Sequence, residues 1–358
     1  SIYNEANPLI VSTEDGTMIM VWTADLARRT DGNQTAVVYS VYDTETDLWS
    51  DPMPVCDDGT ADAYPDIATN GEEIYITWVN AKSEFDETVT LDEFAGACEI
   101  CVAKFNKDSS KFESVKAITN NDSYDFMPTL YVSEEAAYVA YVENLDNAPL
   151  RLTGSNVVNV VRFTDDSYEY VFSKAFENPV ESLDISDFND ELKTVVTVDT
   201  NGDIQSTDDV DIFIIDESGS INRYTNNNLY ERSVQFSSVN GEKVLTYYDN
   251  NGIHYTSDLL TQTSIELNDS SNISPDFLFQ DDSDGTILFI RANDQDSSVT
   301  NIYAYIWDGE KWIGNSKVLN CPEALKAFSA CKNKSGNIQF AYTTSKFNKD
   351  ITEDTGDG

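Results

Sequence analysis

Histidine is almost missing from this chain: His254 is the single one among 358 residues. Ser-His-Asp hydrolysis needs a histidine between nucleophile and carboxylate, and a histidine-rich metal site needs several. His254 lies in NNGIHYTSD, which alternates like a strand, so it reads as a structural residue. Basic residues are scarce as well, with 22 Lys plus Arg against 64 Asp plus Glu and a formal net charge of −42. Such a field repels nucleic acid and anionic headgroups, attracts cations and keeps a secreted or surface-attached protein in solution. No apolar run approaches the ~18 residues a membrane helix requires, so membrane insertion is not expected. The opening SIYNEANP has neither the basic end nor the apolar stretch of a signal peptide, so export implies a targeting segment already removed.

Cysteine gives little chemistry. Cys98-Glu-Ile-Cys101 has no second close pair to make a zinc ribbon, and it sits in EICVAKF, a strand-like run. A redox pair instead wants a helix N-terminus to lower the thiol pKa, so these two read as packing residues. Cys321 and Cys331 are placed where a bridge between neighbouring strands is open; Cys56 stands apart. Helical periodicity is absent, apart from a possible turn over 322–328.

What is abundant is apolar and aromatic material, 40% and 11% of the residues, ample for one large β domain or two ordinary ones. It is arranged in repeats. Residues 40–55 read SVYDTETDLWSDPMPV, and KFNKDSSKFESVKAI at 104–118 and RFTDDSYEYVFSKAF at 162–176 share the design. An aromatic precedes a small polar residue, and six positions on comes another aromatic: Asp43 to Trp49, Asn106 to Phe112, Thr164 to Tyr170. A shorter relative runs from Asp308-Gly309 to Trp312. Asp or Asn opening a turn hydrogen-bonds the backbone just ahead, and the flanking alternation makes each of these a hairpin. A second pattern precedes each hairpin, as in ANPLIVSTEDGTMIMVWTA, AYPDIATNGEEIYITWVNA and FMPTLYVSEEAAYVAYVEN: a strand opened by proline, a tight turn, then a strongly apolar strand. Seven such units begin near 6, 63, 126, 179, 230, 273 and 324. Four strands per unit at a period near fifty predict an all-β chain, one β-propeller of four-stranded antiparallel blades over 1–358. Seven blades are expected, with six as the alternative. The last unit lacks its outer strands in this sequence, so the native chain is expected to continue past Gly358 or the ring to close differently.

The Ser40-x-x-Asp43-x-x-Thr46-x-x-Trp49 hairpin resembles the Asp-box turn of sialidase-like propellers, without its glycine and with the threonine displaced. The whole set also resembles propeller modules in large surface proteins of Gram-positive, often gut-dwelling, bacteria. The resemblance implies a scaffold in which Asp-boxes support the blade away from any active site. It also implies an extracellular or cell-surface location, within a larger multidomain chain. A sialidase would carry three arginines gripping a carboxylate, one on the first strand of the first blade, and NPLIV has none.

In such a fold, second-to-third strand loops share one face with the blade-to-blade connections. The former are long and acidic here, as in TADLARRTDGNQ and NAKSEFDETVTLDEFAGA, and binding is expected on them. The connections bring Asp62 and Tyr64, Asp125 and Phe126, and Tyr230 and Glu231 near the central channel. Carboxylates there suit a hard cation or sugar hydroxyls, with an aromatic face against the ring. Trp22 and Trp78, ending second strands, either extend that surface or anchor the packing between blades. Asp199-Thr-Asn201-Gly-Asp203 resembles the start of a calcium loop, and Asp282-Ser-Asp284-Gly285 does so more faintly, both without the glutamate at position twelve. Calcium is therefore a candidate ligand. The expectation is a non-catalytic propeller presenting a loop-rich acidic face to a carbohydrate or a surface protein. The alternative is a glycoside hydrolase using two carboxylates, with Asp62, Asp66, Asp125 and Asp276 near first-strand starts.

Overall fold

Strands form where the alternation places them, and tight turns join them. The computed structural model describes residues 7–345 apart from 30, 87, 150–154, 165–166, 202–208, 268–272, 283–284, 294–299 and 320–322. The first blade holds β1 (Leu9–Ser12), β2 (Met18–Asp25) and β3 (Thr35–Asp43), with the short outer strands β4 (Leu48–Trp49) and β5 (Met53–Pro54). The second has β6 (Asp62–Thr69), β7 (Ile74–Ala81), a short helix α1 (Leu91–Ala95), β8 (Cys98–Asn106) and β9 (Lys111–Ala117). Next come β10 (Tyr124–Val132), β11 (Ala137–Asn144), β12 (Asn156–Phe163) and β13 (Tyr168–Phe176) in the third, and β14 (Val180–Phe188), β15 (Glu191–Asp199), β16 (Val210–Asp216) and β17 (Ile221–Arg223) in the fourth. The fifth contains β18 (Arg232–Val239), β19 (Glu242–Asp249), β20 (Gly252–Thr256) and β21 (Thr263–Ser264). The sixth contains β22 (Ile273–Asp282), β23 (Gly285–Asn293), β24 (Thr300–Trp307) and β25 (Trp312–Lys317). Only β26 (Ala324–Lys332) and β27 (Ile338–Ser345) follow.

Each sheet is antiparallel in chain order, so its first strand has one sheet partner, the second strand. The other side of each first strand packs on first strands of adjacent sheets: β1 on β6, β6 on β10, and so on to β22 on β26 and β26 back on β1. That circuit defines the axis of a β-propeller. Six complete blades are present rather than the seven expected, and the seventh sheet has two strands. The anticipated turn at 322–328 is corrected too, since its described residues from Ala324 on begin β26. Second strands are apolar on both sides because each faces neighbouring sheets on both sides; all eight residues of β7 are buried.

Proline does not simply open the first strands. In every first strand except β1 the pairing register slips near the start, as between Ala63 and Asp66 and between Phe126 and Thr129. Pro65 and Pro128 sit inside these bulges, where no ladder hydrogen bond is asked of them. Tyr64 and Met127, just before them, take φ of 49° and 55°. The hairpin turns follow the expectation. Asp43 accepts from the Glu45 amide at 2.8 Å, Asn106 from Asp108 at 2.9 Å, and Asp308 from Glu310 and Lys311 at 2.9 Å.

Candidate functional site

The connections between blades repeat a motif. Residues 119–125 read TNNDSYD and 225–231 read TNNNLYE. The Thr119 hydroxyl accepts the Ile100 amide at 2.8 Å, and Thr225 accepts that of Ile212 at 2.7 Å. Asn121 accepts the Ser123 amide at 2.8 Å and donates to Asp125 at 3.1 Å; Asn227 accepts that of Leu229 and donates to Glu231, both at 2.7 Å. The second blade uses a variant: Trp78 Nε1 and Asn80 Nδ2 donate to Asp62 Oδ1 at 3.0 and 2.9 Å. Arg29 Nη1 stands 3.6 Å from the other Asp62 oxygen.

Asp62, Asp125 and Glu231 are therefore joint residues. All three are buried, Asp62 with 1% of its surface exposed. Each keeps one carboxyl oxygen without a hydrogen-bond partner. Burial pushes their carboxyls up, Asp62 to about 7 and Asp125 to about 8, and raises Glu231 as well. Among the described residues no hydrogen bond or ion pair links the three; each is held by donors of its own blade or connection. Phe126 is buried and stacked on Tyr124 at 4.7 Å, and Trp78 is fully buried, so neither presents a ring to a ligand. Tyr64 is 60% exposed on its bulge; Trp22 and Tyr230 are half-buried, with Arg232 5.0 Å over the Tyr230 ring.

The residues that do meet at the axis are Asp66 and Asp184. Thr129 Oγ1 lies 3.1 Å from Asp66 and 3.3 Å from Asp184, which keeps the two carboxyls no farther apart than two hydrogen bonds end to end. Asp66 accepts the amides of Ile67 and Leu130 at 2.9 and 2.7 Å; Asp184 accepts those of Ile185 and Phe236 at 2.9 and 2.6 Å. Each thereby ties its own blade to the next one. Enclosure within the ring raises them to about 6 and about 7, despite these donors. Asp276, the remaining first-strand candidate, is paired with Arg291.

Above the joints, the loop face carries a cleft of about 680 Å³. The 82–97 loop walls it, closed by Asp122 and Asn147. Thr90 and Glu93 form a reciprocal capping box that starts α1, and Phe85 packs on Phe94 with ring centroids 5.3 Å apart. Asn33 and Phe85 exchange hydrogen bonds at 2.8 and 2.9 Å, fastening this loop to the first blade. Asn147, on the third blade, donates to the Asp122 carbonyl at 2.8 Å in the connection between the second and third blades, and Lys82 ties the loop to that same connection. Glu84, Asp86, Asp92, Glu93 and Asp122 line the cleft against one cation, Lys82, which is held by Glu99 at 3.1 Å and Asp122 at 3.2 Å. Replacing Thr90 by alanine should cost about 1 kcal/mol locally. Amide exchange is expected to quicken at 91–97 while the global melting midpoint stays in place.

The other sequence candidates fall elsewhere. Asp199 accepts the Asn201 amide at 3.1 Å, and Asn201 Nδ2 reaches Asp209 at 3.5 Å. Asp203 and Asp284 lie outside the described residues, among which no group of three or more metal-ligating side chains occurs. Cys98 and Cys101 are free, lie three apart on β8 and so face opposite sides, and burial raises both thiols. Cys331 is free and Cys321 lies outside the described residues. His254 is buried, 2.8 Å from Asp249 through Nε2 and 3.0 Å from Ser264 through Nδ1. Gln262 also reaches Nδ1, at 2.8 Å, making the set a cross-strand polar clasp within the fifth blade.

No protein-family model matches the chain, and no curated protein does. Among solved structures it is similar to Trypanosoma rangeli sialidase, with TM-score 0.51, 10% identity, and 82% of this chain and 53% of that one covered. The same sialidase with the inhibitor DANA gives 0.53, 11%, 82% and 54%, and Pyrococcus horikoshii acylaminoacyl peptidase gives 0.55, 12%, 92% and 48%. The chain spans about half the length of these structures. At such identities the likeness is one of fold, and it places the chain among β-propellers that resemble those of a sialidase and a peptidase.

Proposed function

We propose that this propeller is a non-catalytic binding module, extracellular or on a cell surface, and that its ligand, a carbohydrate or a protein, is taken on the loop face. The cleft over the second and third blades carries the reading. Its walls are fixed by the α1 capping box and by hydrogen bonds to both neighbouring blades, so a ligand meets a preformed surface. Carboxylates crowd it and Phe85 offers an apolar face, a combination suited to sugar hydroxyls, amino groups or basic side chains. A glycan array, followed by titration of any hit and of a lysine-rich peptide, tests this. Changing both Glu84 and Asp92 to lysine should weaken binding about tenfold or more while the fold stays intact. Unchanged affinity in that variant would move the site elsewhere.

The alternative, hydrolysis of a glycosidic bond, is supported by one observation, the closeness of Asp66 and Asp184. Against it, backbone amides already occupy both oxygens of each carboxyl. The sialidase chemistry of the fold neighbour finds less support, because the described arginines are spent separately. Arg28 and Arg29 hold Asp57, Arg162 holds Glu169, Arg223 holds Asp211 and Arg291 holds Asp276, while Arg232 lies over Tyr230 and Tyr248.

A further inference from the structure

The single histidine stands in a relay. Asp249 ends β19, His254 lies in β20 and Ser264 in β21, so the three side chains run outward across the fifth blade. His254 pairs directly with Ser264 on its outer side and with Tyr247 on its inner side. Its Nε2 is 2.8 Å from Asp249 Oδ1, and its Nδ1 is 3.0 Å from Ser264 Oγ. Asp249 and His254 are buried, whereas Ser264 is exposed on the outermost strand of its sheet. Tyr247 backs the imidazole, with ring centroids 5.1 Å apart.

Donor counting decides which ring nitrogen carries the hydrogen. Burial pushes the Asp249 carboxyl up, but bonds from His254 and the Asn251 amide outweigh it and hold the group below its ordinary range. An ionised Asp249 only accepts, so Nε2 bears the hydrogen of the neutral ring and Nδ1 presents its lone pair. Gln262 Nε2 already gives that lone pair a donor at 2.8 Å. Ser264 is a second donor to one lone pair, so satisfying a buried histidine does not require it. What remains is a surface hydroxyl aimed at a neutral base whose far side is held by a carboxylate.

We propose that Ser264 is an acyl-accepting nucleophile, with His254 as its general base and Asp249 positioning the imidazole, and that it takes the acyl group of a small activated ester. Ser264 Oγ attacks the carbonyl carbon while its proton passes to His254 Nδ1. Protonated Nδ1 no longer accepts from Gln262, whose Nε2 is released to donate to the oxyanion. The intermediate collapses by breaking the carbon–oxygen bond to the leaving group, which departs as an alcohol or phenol carrying the proton from Nδ1. An ester on Ser264 is left. Its hydrolysis would have to expel the serine alkoxide, a far poorer leaving group, with one amide donor supporting the oxyanion, so the event runs once per chain. Covalent capture of this kind suits a binding module, and it takes place on a different blade from the cleft.

The probe is p-nitrophenyl acetate on the full chain, followed by p-nitrophenol release, intact mass and peptide mapping. A burst of one equivalent is expected, with the acetyl group on Ser264. Ser264→Ala should remove the burst, and His254→Gln should slow it about a hundredfold or more, the usual contribution of a positioned base. Because the chain has one histidine, its ring nitrogens give the only imidazole signals in a nitrogen NMR spectrum. These should place the hydrogen on Nε2. Asp249→Asn, whose amide can donate to Nε2, should move the hydrogen to Nδ1 and slow the burst as well. Equal bursts in wild type and Ser264→Ala, acetyl groups elsewhere with Ser264 bare, or equally fast acetylation of Ser264 in His254→Gln overturn the proposal. So does a wild-type imidazole carrying its hydrogen on Nδ1, a result independent of whether any variant folds. Release that continues past one equivalent overturns the single-round assignment.

Discussion

Thermal unfolding at pH 5.5 should have a midpoint about 5–10 °C above that at pH 8. Asp62, Asp66, Asp125 and Asp184 have carboxyls raised to between about 6 and about 8, chiefly by burial, and Glu231 is raised too. In the unfolded chain an aspartate titrates near 3.9. Between about pH 4 and pH 8 the folded protein therefore holds protons that the unfolded chain has released, so stability falls as pH rises across that window. One pKa unit corresponds to about 1.4 kcal/mol, and even strongly discounted the group contributes several kcal/mol. Mutual repulsion within a chain of net charge −42 acts in the same direction. Below pH 4 the trend reverses. Asp43, Asp216, Asp258 and Asp308 accept hydrogen bonds in turns that hold their carboxyls below the ordinary range, and protonation removes that support. A midpoint that rises steadily from pH 5 to 8 would contradict the burial argument. Asp125→Asn should flatten the slope above pH 6 and stabilise the protein at pH 8 by about 1–2 kcal/mol, since the amide oxygen still accepts from Asn121.

Replacing Trp78 by alanine should be the most damaging single change, at roughly 3–5 kcal/mol. The indole is fully buried in the cluster between the first and second blades, among Val37, Tyr39 and Cys101. Its Nε1 is also one of two donors to Asp62 Oδ1. Trp78→Phe separates the two contributions. The ring volume is largely kept and one hydrogen bond is lost, so a cost of about 1 kcal/mol is expected, with Asp62 rising further in pKa. Denaturant titration of both variants, with the Asp62 carboxyl followed by NMR, checks the division. Equal losses would assign the whole effect to the hydrogen bond.

The propeller was legible because each blade is written in local patterns. Period-two alternation and turns opened by Asp43, Asn106 and Asp308 need no knowledge of what lies across the ring. What joins blades was less legible. Asp66 and Asp184 come together only because three first strands lie side by side around the axis, and nothing in a chain with 64 acidic residues singles out that pair. Asp62 and Asp125 stand out in the sequence as candidate ligands near the channel, while the donors from Trp78, Asn80 and Asn121 that hold them in their buried positions are not revealed by spacing alone. One further signal is local and sits in the sequence itself. Thr90-Leu-Asp-Glu93 is a capping box, and it marks the short helix that builds the cleft wall.

Ring closure has a mechanical side. Between the last sheet and the first, β26 and β1 share an Ile10 amide bound to Ser329 Oγ at 3.3 Å, and the small Ile10, Met18 and Ala341 cluster. Lys334 adds one bond to the Asp15 carbonyl at 3.2 Å. Among the described residues, side-chain packing and these hydrogen bonds span this gap, whereas the polypeptide itself also crosses the boundaries between the other consecutive blades. This seam is where the circle would part first under tension, opening the barrel-like stack into an arc while the individual sheets stay whole.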